Sequence, residues 1–167
     1  ASCLVGSEMC IRDRFKNIAS GTDLLDKFRP IGEDLADLLL LRTGFAEVTE
    51  YTTGLFIPQM LNLDRMDFLD FKKGCYTGQE IIARAHYRGA VKRRIRHLLC
   101  TLNDLPQAGD SINKPNGKSI GSIASAARSS PSNAEILAVI SDSANEFSGL
   151  TINHETDIDA REFQLDY

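Results

Sequence analysis

The sequence lacks long hydrophobic runs, and none of its apolar stretches approaches the roughly 18 residues that a membrane-spanning helix needs. It also lacks the cysteine spacing of a zinc knuckle or a dithiol site, because its four cysteines form no CxxC pair and have no histidine cluster nearby. No basic segment followed by an apolar one precedes the folded region, so a secretory signal is not predicted. These absences disfavour a membrane protein and a secreted one, and they favour a reducing compartment.

The composition is that of an ordinary globular domain. Of the 167 residues, 43% are hydrophobic and 25% are charged, which disfavours disorder, collagen and coiled coil. A chain of 18.4 kDa holds one domain, or one domain and part of another. Residues 1–14, ASCLVGSEMCIRDR, resemble a translated sequencing adapter. We therefore expect them to lie outside the fold, and the natural protein to begin further upstream.

Positive charge is concentrated in one segment. Residues 72–97 hold eight Lys or Arg and one acid, Glu80, which gives +7 there and leaves −11 for the rest of a chain whose net charge is −4. Such an asymmetry predicts an anionic partner, which could be a phosphate, a carboxylate or an acidic protein. A solvated basic face that balances its acidic neighbours is the alternative.

The first half of the sequence predicts one helix followed by turns. Apolar residues recur at spacings of two to four over residues 34–42, with acids in the first turn, so a helix is expected there that ends near Gly44. Residues 45–54 are rich in β-branched and aromatic side chains and predict a short strand or hairpin. Residues 56–70 predict a loop.

A second helix is predicted from Thr77 to about Arg88, ending at Gly89. Thr77 followed three residues later by Glu80 has the pattern of a capping box, in which the two side chains bond each other's backbone amides. Helical spacing places two sets of residues on separate faces. The apolar set is Ile81, Ile82 and Ala85, and the charged set is Glu80, Arg84 and Arg88.

The remainder predicts a small barrel or sandwich of five or six short strands. Strands are expected at residues 92–102, 119–127, 135–140 and 161–165, with a tight turn at Pro115, Asn116 and Gly117. Residues 129–133 are predicted to form a loop.

Cys75 is the candidate reactive residue. Lys72 and Lys73 precede it and a predicted helix N-terminus follows it, and both features favour the thiolate. The alternative is a small packed residue between Gly74 and Gly78, since free cysteine is often buried. Backbone amides near Gly78 and Gln79 are also expected to form an anion site.

No metal site is predicted. The histidines lack a matching set of ligands, and we expect all three to be structural or surface residues: His86, His97 and His154. Asp64, Asp67 and Asp70 are spaced three apart but alternate with apolar residues that favour a packed loop.

The segment KGCYTGQE, residues 73–80, resembles the signature of the YgfZ-type folate-binding proteins, relatives of the glycine-cleavage aminomethyltransferases. FIPQMLNLD at residues 56–64, FKKG at 71–74 and IIARAHYRGAVKR at 81–93 resemble the surroundings of that signature. Thr77 occupies the position of the signature that varies within the family. The matching positions are Lys73, Gly74, Cys75, Tyr76, Gly78, Gln79 and Glu80.

The resemblance covers about residues 31–167 and implies an α+β fold. Residues 15–90 would be the C-terminal portion of a GcvT-like tetrahydrofolate-binding domain, and residues 91–167 would form a small antiparallel β-barrel. The chain would then correspond to the C-terminal part of a longer protein. By the same resemblance it would belong in the bacterial cytoplasm or, in a eukaryote, in the mitochondrial matrix.

The function that this resemblance implies is accessory. The family is thought to bind tetrahydrofolate and to support assembly or repair of iron-sulfur enzymes, including those that modify tRNA, without established turnover. Its partners would be folate and iron-sulfur client or scaffold proteins. Cys75 would be a nucleophile or redox thiol, a transient iron ligand or a folate contact. The candidates for binding the glutamate tail of folate, a partner protein or RNA are Lys72, Lys73, Arg84, Arg88, Lys92 and Arg93.

Two alternatives remain at this point. An aminomethyltransferase-like one-carbon transferase is disfavoured because KGCYTGQE resembles the other branch of the superfamily. A basic RNA-binding module would suit a charged helix and strand. Only Tyr76 and Tyr87 lie in the basic segment to stack on bases.

Overall fold

The computed structural model describes residues 32–89, 91–142, 147, 149–153, 156–158 and 160–165. The adapter-like residues 1–14 and the start of the predicted folate domain lie outside these ranges. The described residues from Asp34 onward belong to one compact unit, Asp34–Tyr167. The sheet, the second helix and nearly all of the first belong to Asp34–Tyr167.

A seven-stranded antiparallel sheet occupies the second half of the chain, in the order β6-β5-β2-β3-β4-β1-β7. Its strands are β1 (Arg93–Thr101), β2 (Ser111–Asn113), β3 (Ser119–Ser130), β4 (Asn133–Ser141), β5 (Leu150–Ile152), β6 (Thr156–Ile158) and β7 (Ala160–Phe163).

The sheet curls into a half-barrel. Its two edge strands, β6 and β7, are consecutive in the chain with only residue 159 between them. The two edges must therefore approach each other at the short connection between Ile158 and Ala160. The small antiparallel barrel predicted from the sequence is confirmed only to this extent.

Strand β4 is buried on both faces, which explains its nearly continuous apolar sequence. Ile136, Ala138 and Ile140 pack inside the curl with residues of β1, β3 and β5. Leu137 and Val139 point to the other face and pack with the first helix. The central strand thus joins two hydrophobic clusters.

Helix α1 (Glu33–Arg42) covers the outer face of the sheet with Leu38 and Leu41. The Arg42 guanidinium donates to both Glu135 carboxylate oxygens, the shortest contact being 2.6 Å, and His97 Nε2 lies 2.9 Å from Oε2. The hydrogen bonds from Arg42 keep the pKa of the buried Glu135 below its ordinary value, although burial alone would raise it. The ion pair therefore fastens the end of α1 to β4.

The predicted helix at residues 34–42 is confirmed, and it ends as expected where Gly44 adopts φ 77°. The strand or hairpin expected at 45–54 is wrong, because Thr49 and Thr52 bond each other locally and turn the chain. Residues 56–70 form the expected loop except for a short 3-10 helix, Pro58–Leu61. None of the described helices is long and apolar enough to cross a membrane.

The four predicted strands are confirmed as β1, β3, β4 and β7, with β3 and β4 longer than expected. The loop predicted at 129–133 is shorter than expected and consists of Pro131 and Ser132, because β3 continues to Ser130 and β4 begins at Asn133. The Asn133 amide donates to Ser130 Oγ at 3.1 Å and closes this turn. Strands β2, β5 and β6 were not predicted. The domain boundary expected at residue 90 stays a prediction.

Gly121 should tolerate no side chain. A Cβ at this position would lie 2.1 Å from the Val139 carbonyl oxygen on the neighbouring strand, so β3 and β4 would have to separate. We expect Gly121→Ala to lower the free energy of unfolding by about 1–3 kcal/mol, the usual range for overpacking, as measured by urea denaturation. Gly74→Ala, whose Cβ would meet no atom within 4 Å, is the matched control. Equal stability of the two variants would contradict the assigned β3–β4 contact.

Candidate functional site

Helix α2 (Gln79–Tyr87) begins inside the KGCYTGQE segment, at its last two residues, which is two residues later than predicted. Gly78 is the N-cap in a left-handed conformation, with φ 86°, and no side chain caps the helix. The predicted capping box is therefore wrong, because Thr77 lies outside the helix and Glu80 lies 3.7 Å from Arg84 instead. The predicted end is confirmed by the Arg88 amide, which donates to the Arg84 carbonyl.

Helix α2 has no buried residue, so a few specific contacts hold it in place. Gln59 of the 3-10 helix donates from Nε2 to the Ile82 carbonyl at 2.7 Å. Phe71 stacks on His86 with ring centroids 3.9 Å apart. His86 is thus a surface residue with a structural contact, in line with the predicted structural or surface role. A glutamine and a phenylalanine from the preceding loop position the helix.

Arg94 of β1 fastens that loop to the sheet. Its guanidinium donates to the Gln59 carbonyl, to Asn62 Oδ1 and to both carboxylate oxygens of Asp64, all at 2.9–3.0 Å. Asn62 adopts φ 57° at the end of the 3-10 helix and donates to the Ile95 carbonyl. Partial burial is the largest single effect on the pKa of Asp64 and would raise it, but the hydrogen bonds and the positive charge of Arg94, with smaller contributions from a backbone hydrogen bond and from Arg65, together lower it.

Residues 73–78, called here the cysteine loop, connect Lys72 to α2. Lys73 Nζ lies 4.5 Å from the centroid of the Tyr76 ring, a cation-π contact. Cys75 is an exposed free thiol, so the alternative of a packed residue is wrong. The Gln79 amide donates to the Tyr76 carbonyl, which removes one of the two amides expected to bind an anion.

The predicted basic residues do not form one site. Arg84 and Arg88 share a face of α2 with Tyr87 and line a cleft of about 220 Å³, as the spacing predicts. A second cleft of about 340 Å³ lies on the other side of Arg84. Lys92 and Arg93, at the start of β1, are exposed and line neither cleft.

Sequence analysis missed the residues that position this region. Arg94 was counted with the cations available to a partner, yet it is bonded to Asp64. Gln59 lies in the FIPQMLNLD segment, which resembles the surroundings of the signature, but nothing in the local sequence gave it a positioning role. Asp70, considered as a cation ligand, accepts a hydrogen bond from the Lys72 amide and shapes the turn before the cysteine loop.

Comparison with known proteins connects the chain to one group. It is 45% identical over 74 residues to the tRNA-modifying protein YgfZ of Escherichia coli O139:H28 (strain E24377A / ETEC), of E. coli K12 / DH10B and of Shigella boydii serotype 18. The match covers 44% of this chain. The matched sequence is of the YgfZ type. No family model matches the chain.

The chain spans 23% of the length of these YgfZ relatives. Their similarity confirms the family resemblance that the KGCYTGQE segment indicates. The described residues place the exposed Cys75 thiol in a loop that leads into α2, and Gln59 and Arg94 connect that helix to the half-barrel.

Cys75 should react in the folded protein, whereas Cys100 should not. Cys75 is exposed and Cys100 is fully buried in β1, so we expect iodoacetamide to modify Cys75 within minutes and Cys100 only after denaturation. Peptide mapping by mass spectrometry reads each cysteine separately. If iodoacetamide modified Cys75 only after the protein unfolds, the exposed position of its thiol would be contradicted.

The Arg94–Asp64 pair should make stability depend on pH on the acid side. Because the folded pKa of Asp64 is lowered, its stabilisation is full above the ordinary value of 3.8 and is lost as the pH falls through the folded value. Asp64→Asn should cost about 3 kcal/mol at pH 7. The difference from the wild type should shrink near pH 3.

Urea denaturation at both pH values measures this effect, with Asp104→Asn as a control because Asp104 is exposed. A cost that is the same at both pH values would show that the charge of Asp64 is not what fastens the loop.

Proposed function

We propose that the chain is part of a YgfZ-type accessory factor that supports iron-sulfur enzymes of tRNA modification. The 45% identity to proteins named tRNA-modifying YgfZ carries this proposal. Since the chain spans 23% of those relatives, the activity belongs to a larger protein to which these residues contribute the cysteine loop. The aminomethyltransferase alternative has no comparable support, because the relatives carry the YgfZ name.

Cys75 is the residue proposed to act. Its thiol is exposed on a loop that is ordered by the Lys73–Tyr76 contact and by the Tyr76–Gln79 hydrogen bond. An accessible thiol can attack an electrophile or bind iron without rearrangement of the fold.

Tetrahydrofolate is the proposed cofactor, and the described residues include cations that could bind its glutamate tail. Cations can hold the carboxylates of a glutamate tail, and two lysines precede Cys75 closely in sequence: Lys72, which is exposed, and Lys73, which is half-buried. We expect the ring system to be held by parts of a YgfZ-type protein beyond this chain.

A chimaera tests the proposal in cells. Residues 34–165 would replace the corresponding region of E. coli YgfZ in a strain that lacks its own copy, and modified tRNA nucleosides would be measured by mass spectrometry. We expect the chimaera to restore modification, Cys75→Ala to abolish the rescue and Cys75→Ser to retain little of it. Lys118→Ala, on the exposed β2–β3 turn, is the control.

Full rescue by both cysteine variants would refute a chemical role for Cys75. Folate binding is measured separately on the purified chimaera by calorimetry, where Lys72→Glu with Lys73→Glu should weaken tetrahydrofolate binding. Unchanged affinity would remove these lysines from the folate site while leaving the role in tRNA modification intact.

A further inference from the structure

Two aromatic side chains of α2 lie open at the surface. Tyr87 is 70% exposed, and His86 beside it is also exposed. The two rings meet edge to face with centroids 4.7 Å apart, and Phe71, which stacks on His86, meets the Tyr87 ring edge-on at 6.4 Å. Contacts with two neighbouring rings restrict the orientation of the tyrosine while most of it stays accessible.

Two arginines flank the exposed tyrosine. Arg84 and Arg88 line the cleft of about 220 Å³ together with Tyr87, and one helical turn separates them, about 6 Å along the axis. Among the described residues that line this cleft, Glu80 is the single acid. It is 88% exposed and lies 3.7 Å from Arg84, and an exposed pair of this kind is weak and easily displaced. The cleft therefore combines net positive charge with an accessible ring.

Exposed cations continue along the chain beyond α2. Lys92 and Arg93 follow Arg88 at the start of β1, and none of the three takes part in an ion pair among the described residues. Because Lys92 and Arg93 do not line the cleft, these cations do not converge on one pocket. A small anion needs convergent cations, whereas a polymer with a charge on every unit can contact them in succession.

We propose that the surface formed by Arg84, Tyr87 and Arg88, called here the α2 face, binds single-stranded RNA. A base stacks on the Tyr87 ring, the phosphates on either side of it bind the two arginines, and the next phosphates reach the cations at the start of β1. Guanidinium groups suit phosphate geometry, and an aromatic ring can stack on any base. An acidic peptide would use the arginines but would not need the ring, so the exposed tyrosine is the observation that favours RNA.

The choice of RNA over DNA rests on the proposed function, which concerns tRNA modification. Direct contact with RNA goes beyond that function, because an accessory factor could act through the modifying enzyme alone. The α2 face uses neither Cys75 nor folate, so RNA binding can be measured without either. The binding experiment and the chimaera experiment can therefore fail separately.

Fluorescence anisotropy of the full chain tests this site. The probe is a labelled single-stranded RNA of about 12 nucleotides, comparable to the roughly 4–16 that one OB-fold binds. An abasic oligomer with the same number of phosphates, DNA of the same sequence and an oligoglutamate peptide are the comparison probes. Tyr87→Ala and Arg88→Glu alter the α2 face, while Tyr51→Ala and Arg161→Glu make the same changes at exposed positions elsewhere.

We expect RNA to bind more tightly than the abasic oligomer and the oligoglutamate peptide. Tyr87→Ala should weaken RNA binding about tenfold through the loss of stacking, and Tyr87→Phe should retain it. Arg88→Glu should weaken binding of both RNA and the abasic oligomer and reduce its dependence on salt. The two control variants should bind like the wild type, and circular dichroism of each variant verifies the fold.

Equal affinity for RNA and for the abasic oligomer, or RNA binding that Tyr87→Ala leaves unchanged, would overturn the proposal. Tighter binding of the oligoglutamate peptide would overturn it in favour of an acidic protein, and tighter binding of DNA would overturn the choice of RNA. Displacement of RNA by tetrahydrofolate would assign the α2 face to the cofactor instead. None of these results would change the rescue of tRNA modification by the chimaera, which tests the proposed function.

Discussion

The Arg94 guanidinium is the interaction on which the position of the cysteine loop depends. It lies on β1 and reaches the loop before α2 through Gln59, Asn62 and Asp64. The Gln59 side chain then bonds the Ile82 carbonyl of α2. Because α2 buries none of its own side chains, this relay of polar contacts substitutes for a hydrophobic interface. A partly buried charge with four hydrogen-bond acceptors specifies one orientation, whereas apolar packing alone would allow several.

Ion pairs of this kind also reduce the number of cations that the basic segment, residues 72–97, can offer to a partner. Arg94 pairs with Asp64, and Arg96 pairs with Glu162 and lies near Asp142. These cations neutralise acids within the fold, so the excess of positive charge that faces solvent is smaller than the sequence suggests. What remains exposed is concentrated on α2 and on its flanks, where Arg84 and Arg88 line clefts. The charge that a partner meets is therefore local to the helix.

Sequence patterns predicted those elements whose own residues decide their structure. Helix α1 and strand β4 follow from their apolar spacing, since each packs against a hydrophobic cluster. Strands β2, β5 and β6 have three residues each, too few to show a period, and they exist because neighbouring strands pair with them. At Thr77 a capping pattern was present, but the left-handed Gly78 began the helix instead. Gln59 and Arg94 act through partners more than 20 residues away, which no local pattern reveals.

The position of α2 also limits where the Cys75 thiol can lie. Gln79, the first residue of α2, comes four positions after Cys75, so their Cα atoms lie within about 14 Å of each other even if the loop is fully extended. Because Gln59 and Arg94 fix α2 through the preceding loop, they also confine the exposed thiol to that neighbourhood of the half-barrel. The cysteine loop therefore needs little structure of its own.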